Sequence, residues 1–285
     1  MYTTMMYKGG VYRSKEINDL IDDLGGFVIQ KNVIENELIM IVAIPEEDTD
    51  KLREKARELL SEVKIAPLGG TEIAIVAPSL SPYHVPHPAC DIAEYLRREG
   101  SKVNLIGLAR AVGRRIAQLT EQEKRLIEEH DAAVFIFGCL KDCIVNIKAK
   151  LLADLTIPAV VTGAPHLKKE EVPYPVTYIE GIGRIPRRFR RGEEIQALQR
   201  VADALGQCIK SRRKELADDP PVVSPIYIKK KIEEQVSAIK TVTSPAPIVV
   251  KLDGLRLKLP YNEYAGEIAD IKIYGEVKLS DVANV

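Results

Sequence analysis

Tryptophan is missing from this chain, cysteine and histidine occur only four times each, and aromatic residues fill 5% of the 285 positions. So few cysteines in so long a chain exclude a disulfide-stapled scaffold, which is short and cysteine-dense. No apolar run approaches the roughly 20 residues that a bilayer-spanning helix needs. The opening MYTTMMYKGG has no basic region followed by an apolar stretch, so no secretory signal is expected and the expected location is the cytoplasm. Charge of neither sign is in excess, since 41 Lys and Arg offset 41 Asp and Glu. A nucleic-acid coat or an anionic-membrane surface is therefore not expected. GxxxxGK[ST], GxSxG, HExxH and a CxxC pair are all missing. Their absence argues against a phosphate-binding P-loop, a self-sufficient hydrolase and a zinc ribbon.

What remains is ordinary globular material, 46% hydrophobic and 29% charged. Three organisational units are expected, at residues 1–70, 71–217 and 218–285. In the first, a strand near Tyr7–Tyr12 precedes Ser14, an N-cap residue, and a helix carrying Ile17, Leu20, Ile21 and Leu24 on one face. Gly25-Gly26 ends that helix. Strands at Phe27–Val33 and Leu38–Ile44, a charged helix from Pro45 to Ser61 and a strand at Val63–Leu68 follow. That order matches the ferredoxin-like split motif.

Beyond Gly69-Gly70 the apolar runs become continuous: Ile73–Ala77, Val103–Leu108, Ala132–Phe137, Ile157–Val161 and Val176–Ile179. Short, β-branched and unbroken runs suit strands covered on both faces. Helical stretches at Asp91–Arg98, Glu121–His130, Asp142–Leu152 and Glu193–Leu216 alternate with them. A doubly wound parallel sheet is expected. In the last unit, Asp253-Gly254 between the alternating stretches Ile248–Leu252 and Leu255–Leu259 predicts a hairpin.

The chemistry-bearing residues cluster after strands. Tyr83-His-Val-Pro-His-Pro-Ala-Cys90 follows the first parallel strand and sets Cys90 at the start of a helix, where thiol pKa falls. Gly138-Cys-Leu-Lys-Asp-Cys143 follows another strand, with Cys139 and Cys143 four residues apart on one helical face. Strands of one parallel sheet would bring Cys90, Cys139 and Cys143 to its carboxyl edge, where such folds bind ligands. A metal or iron–sulfur site is expected there, with His84 or His87 as companion ligand. The competing reading of each thiol is a small buried hydrophobe. His166, in Gly163-Ala-Pro-His, reaches toward the same edge, whereas His130 and Cys208 are expected to be structural. Five arginines between 184 and 191, after Gly181-Ile-Gly, form a basic rim, a docking surface or a phosphate cradle. Gly107-Leu-Ala-Arg-Ala-Val-Gly-Arg-Arg is similarly open.

Several segments resemble one known family. Pro88-Ala-Cys-Asp-Ile with Tyr-Leu-Arg-Arg-Glu-Gly100, the Ala132–Phe137 strand and Lys148-Ala-Lys-Leu-Leu with Ile-Pro-Ala-Val-Val161 are similar to operon protein C of methyl-coenzyme M reductase. YKGGVY near the start, TGAP at 162–165, GIGRIPRRFRRGEE and LDGLRLKLPY resemble its longer relative, the methanogenesis marker protein 7 family. The resemblance implies an archaeal accessory protein that is not an enzyme by itself. It would serve the ATP-dependent complex that reductively activates methyl-coenzyme M reductase. Implied partners are operon protein C, the reductase, other methanogenesis marker proteins and a separate ATP-binding component, so no nucleotide is expected on this chain. The implied cofactor is an iron–sulfur cluster of the large type related to nitrogenase precursors, used in electron transfer or carried. Cys90 matches the relative's cysteine; Cys139 and Cys143 rest on geometry alone. A scaffold without a cluster, and a phosphate-binding enzyme using Gly181–Arg191, are the rival readings.

Overall fold

Strand β3 (Glu37–Pro45) buries five consecutive residues, Ile41 through Ile44 preceded by Met40, because both of its faces are covered. It pairs antiparallel with β1 (Tyr2–Gly10) and β2 (Phe27–Ile34), and β1 pairs antiparallel with β4 (Glu62–Ile65). The resulting order is β2-β3-β1-β4. Helices α1 (Ser14–Asp23) and α2 (Thr49–Glu58) cover one face, seating Ile17, Ile21, Leu52 and Ala56 against Met5, Tyr7, Met40 and Val42. The opposite face carries a smaller cluster of Met6, Ile41 and Ala66. The computed structural model describes residues 2–78, 87–108, 118–172, 176–182, 191–241 and 247–285, the side chains of Ile34, His87 and Arg191 excepted.

A five-stranded parallel sheet follows: β5 (Glu72–Ala77), β6 (Lys102–Gly107), β7 (Ala132–Ile136), β8 (Ala159–Thr162) and β9 (Thr177–Ile179). Alternation along β5 and β7 splits their residues between two apolar layers. Ile73, Ile75, Val134 and Ile136 meet helices α3 (His87–Arg98) and α6 (Arg191–Asp218) on one face. Ala74, Val76, Ala133 and Phe135 meet Ile127 of α4 (Glu121–Glu128) and Ile144 of α5 (Lys141–Asn146) on the other. The strand order is β6-β5-β7-β8-β9, so the chain reverses its direction of winding between β5 and β7.

Beyond α6, helices α7 (Pro225–Gln235) and α8 (Tyr261–Ala269) pack with hairpin β10 (Ile248–Lys251) and β11 (Gly254–Leu257) around Ile228, Ile232, Ile248 and Ile268. Helix α8 and the short pair β12 (Lys272–Tyr274) and β13 (Val277–Lys278) were not expected from sequence. Strands of two or three residues are too short to declare a period. Several expected elements also have other bounds: the helix expected at Pro45–Ser61 is confined to Thr49–Glu58, and the strand expected at Val63–Leu68 is Glu62–Ile65. Strand β1 starts at Tyr2 rather than Tyr7, because Thr3 and Thr4 still pair with Ile44 and Ala43. The helix expected at Asp142–Leu152 breaks at Ile147 and continues as a 3-10 turn, Lys148–Leu152.

Candidate functional site

The carboxyl ends of β5 and β7 flank the reversal point of the parallel sheet, the place where open α/β sheets leave a crevice. After β5 the described chain resumes in α3, whose fourth residue, Cys90, is exposed. After β7, Phe137 N–H donates to Thr162 O at 2.8 Å and holds the strand end against β8. Gly138 then turns with φ +83°, a conformation that L side chains rarely adopt. Its carbonyl accepts from Ala164 N at 2.9 Å, which sets the loop after β8 beside the cysteine segment. Cys139 lies in the bend that follows and Cys143 in the first turn of α5, both partly exposed, so the two do not share the helical face expected of them: α5 begins only at Lys141, and Leu140 before it is extended.

Lys148 is the unexpected member. Its side chain is fully buried and its ammonium donates to Phe137 O. Burial lowers its pKa to about 8, while the charges of Cys143 and Cys139 oppose that fall. A sequence signal existed: Lys148 falls on the stripe Ile144, Leu151, Leu152 that α5 and the 3-10 turn bury. Lysines at that spacing are usually read as solvated, because their stems reach the surface.

A second polar group borders this edge. His166 Nδ1 pairs with the Glu180 carboxylate, both exposed. Tyr178 donates to Pro165 O at 2.8 Å, and its pKa is raised by burial first and by the charge of Glu180 second. Lys141 pairs with Glu171 at 2.7 Å, tying α5 to the 3-10 turn Lys169–Glu171. His130 lies elsewhere, at the amino edge. Its Nδ1–H faces Leu126 O and Ile127 O, and its Nε2 accepts from Asn104 Nδ2 at 2.9 Å. Burial lowers its pKa, as suits a neutral packing residue. Cys208 is half-buried in α6 and its thiol pKa is pushed up by burial.

His84 lies outside the described residues, as do the side chain of His87, residues 183–190 of the arginine-rich segment and residues 109–117 of the Gly107 segment. Among the described residues, no three His, Cys, Asp or Glu side chains group as metal ligands. A cluster held at Cys139 and Cys143, beside the buried Lys148 ammonium, would need further ligands from outside these two thiols. No helix among the described residues is long and apolar enough to cross a membrane.

Comparison with known proteins gives two strong results and two weak ones. The chain is 48% identical to an uncharacterized protein of Methanocaldococcus jannaschii over 285 residues, 100% of this chain and 90% of the relative. Among solved structures, a phospho-2-dehydro-3-deoxyheptonate aldolase of Thermotoga maritima is 8% identical with a TM-score of 0.20, covering 60% of this chain and 64% of its own. A glutamyl-tRNA reductase of Methanopyrus kandleri is 8% identical with a TM-score of 0.23, covering 85% and 86%. Similarity at that level carries no argument. The family model described as methyl-coenzyme M reductase operon protein C matches residues 2–271. With nearly the whole length matched, the chain belongs to the methyl-coenzyme M reductase operon protein C family.

Proposed function

We propose that this chain is an accessory protein of the methyl-coenzyme M reductase system, working through the thiol-bearing carboxyl edge of its parallel sheet. The observation that carries the reading is the placement of Cys90 and Cys139 after β5 and β7, the two strands on either side of the reversal point. In our reading the antiparallel sheet is a ferredoxin-like unit over residues 1–70, the parallel sheet a doubly wound unit over 71–217, and residues 218–285 an extension.

The finer form of the proposal is a subunit that carries or relays electrons through an iron–sulfur cluster during reductive activation of the reductase. Cys90 would supply one ligand, with Cys139 and Cys143 as companions and the remaining ligands from a partner chain. Operon protein C, the reductase, other marker proteins and a separate ATP-binding component are the proposed partners. Family membership supports the association with the reductase operon. The rival reading is a scaffold subunit of the same system without its own cluster.

Anaerobic isolation of the tagged full-length chain from a methanogenic archaeon separates them. The cluster reading expects iron and sulfide in the isolated complex and a large loss of iron in Cys90→Ala. Co-isolation of the reductase system with unchanged, negligible iron leaves the scaffold. Absence of every reductase-system protein removes the accessory role itself.

A further inference from the structure

The unit beyond α6 encloses a cavity of about 790 Å³, because its elements turn their apolar sides toward one space without filling it. Helix α8 contributes Tyr261, Tyr264, Ala265 and Ile268, the i, i+3, i+4, i+7 stripe of one helical face. Strand β11 contributes Leu255 and Leu257, the alternate side chains on either side of Arg256. Helix α7 contributes Ile228 and Ile232, which are buried with Ile268, whereas Leu255, Leu257 and Tyr264 stay only partly buried. Gly254, Ala265 and Ala283 also line the space and are too small to close it. Val222 and Tyr261 on its wall are 83% and 69% exposed. Apolar surface left open in one concavity of roughly 300–1,000 Å³ is the form of a small-molecule site.

The polar groups of the wall define the other end of the ligand. Among the described residues, no lysine or arginine lines the cavity. Its acids are Asp219 and Asp253, and Asp253 is already paired with Arg212 at 2.6 Å. Asp219 is exposed and, among the described residues, has no ion-pair or hydrogen-bond partner. The hydroxyls of Tyr261 and Tyr264 are likewise without a partner among the described residues. An unneutralised carboxylate attracts a cation and repels an anion, and tyrosine ring faces attract ammonium groups. We infer that the cavity binds a cationic amphiphile, a hydrocarbon body ending in an ammonium group. The hydrocarbon lies against Leu255, Leu257 and Ile268, and the ammonium meets Asp219 with the two tyrosines. Fatty carboxylates of the same length are disfavoured by the same acid. The inference goes beyond the accessory reading, since no residue of the thiol-bearing edge takes part.

The full-length chain is titrated with the neutral fluorescent probe N-phenyl-1-naphthylamine, which is then displaced by octylamine, octanol or octanoate below their micellar concentrations. Octylamine should displace the probe at about tenfold lower concentration than octanoate, with octanol between them. Lengthening the amine from hexyl to octyl should tighten binding about fourfold for each methylene that enters the cavity. Asp219→Asn should abolish the preference for the amine while probe uptake persists. Ala265→Trp should fill the cavity and abolish uptake with an unchanged circular dichroism spectrum. Should Ala265→Trp fail to fold, Asp219→Asn still decides, because its side chain is exposed. Folded wild-type protein that takes up no probe overturns the site, as does uptake that survives a folded Ala265→Trp variant. Octanoate that matches octylamine, or an amine preference that survives Asp219→Asn, overturns the assignment of the ammonium end.

Discussion

Asp131 shows how much one carboxylate can be asked to do. It is 5% exposed, accepts Glu72 N at 2.9 Å on one oxygen and Leu252 N at 2.8 Å on the other, and so joins β5 to the C-terminal hairpin. Burial raises its pKa to about 6, against the pull of those two hydrogen bonds and of Lys251. Between the unfolded value near 3.8 and the folded value near 6, the native state holds a proton that the unfolded chain has lost. Stability from this group therefore falls as pH rises through that window. Relative to Asp131→Asn, the wild type should lose about 2 kcal/mol between pH 4.5 and pH 7. Urea unfolding of both proteins at the two pH values measures the difference, and parallel pH curves would refute it. Nothing in the sequence announces this residue, since burial of an acid at a strand start depends on a hairpin that arrives 121 residues later. Cys90, Cys139 and Cys143 are legible because they follow apolar runs. Lys148 is not, although its spacing lies in plain view, because a lysine on an apolar stripe is ordinarily solvated at its tip.

At the scale of elements, the turn after β7 decides where the thiols stand. Gly138 combines φ +83° with a carbonyl that accepts from Ala164 N, so the bend and the loop after β8 are fixed together. Gly138→Ala should cost about 1–2 kcal/mol of stability, the penalty of forcing a Cβ into left-handed backbone. Thermal unfolding checks this, and an unchanged midpoint would mean that the bend relaxes freely. The parallel strands are readable because β5 and β7 bury all but one of their residues and so appear as unbroken apolar runs. Break points are harder. The interruption at Ile147 follows from placing Lys148 Nζ on Phe137 O, a tertiary demand that helical periodicity does not encode. The hairpin at Asp253-Gly254 is readable for the opposite reason: its Gly254 turn chemistry is local.

At the scale of the molecule, the antiparallel and parallel sheets are coupled by contacts that no local pattern contains. Gly100, at φ +94°, lies so near β3 that a Cβ there would meet Ile41 Cδ1 at 2.7 Å. Lys64 of β4 pairs with Glu99 at 3.0 Å beside it. The stronger tie is Arg213 of α6, which donates to Pro67 O at 2.7 Å and Gly69 O at 2.8 Å in the segment between β4 and β5. Burial lowers its pKa, so these carbonyls are the compensation for a desolvated guanidinium. Arg213→Ala removes two charge-assisted hydrogen bonds and leaves two carbonyls to find water. The expected loss is about 2–3 kcal/mol in denaturant unfolding. The tie spans two sheets, so its loss should also open the connecting segment, and limited proteolysis should cut between residues 66 and 71 faster than in the wild type. An ammonium offers no planar fork, so Arg213→Lys should recover only part of either effect. If proteolysis of that segment stays at the wild-type rate while stability falls, the guanidinium stabilises α6 alone and the coupling of the sheets rests on Gly100 and the Lys64–Glu99 pair.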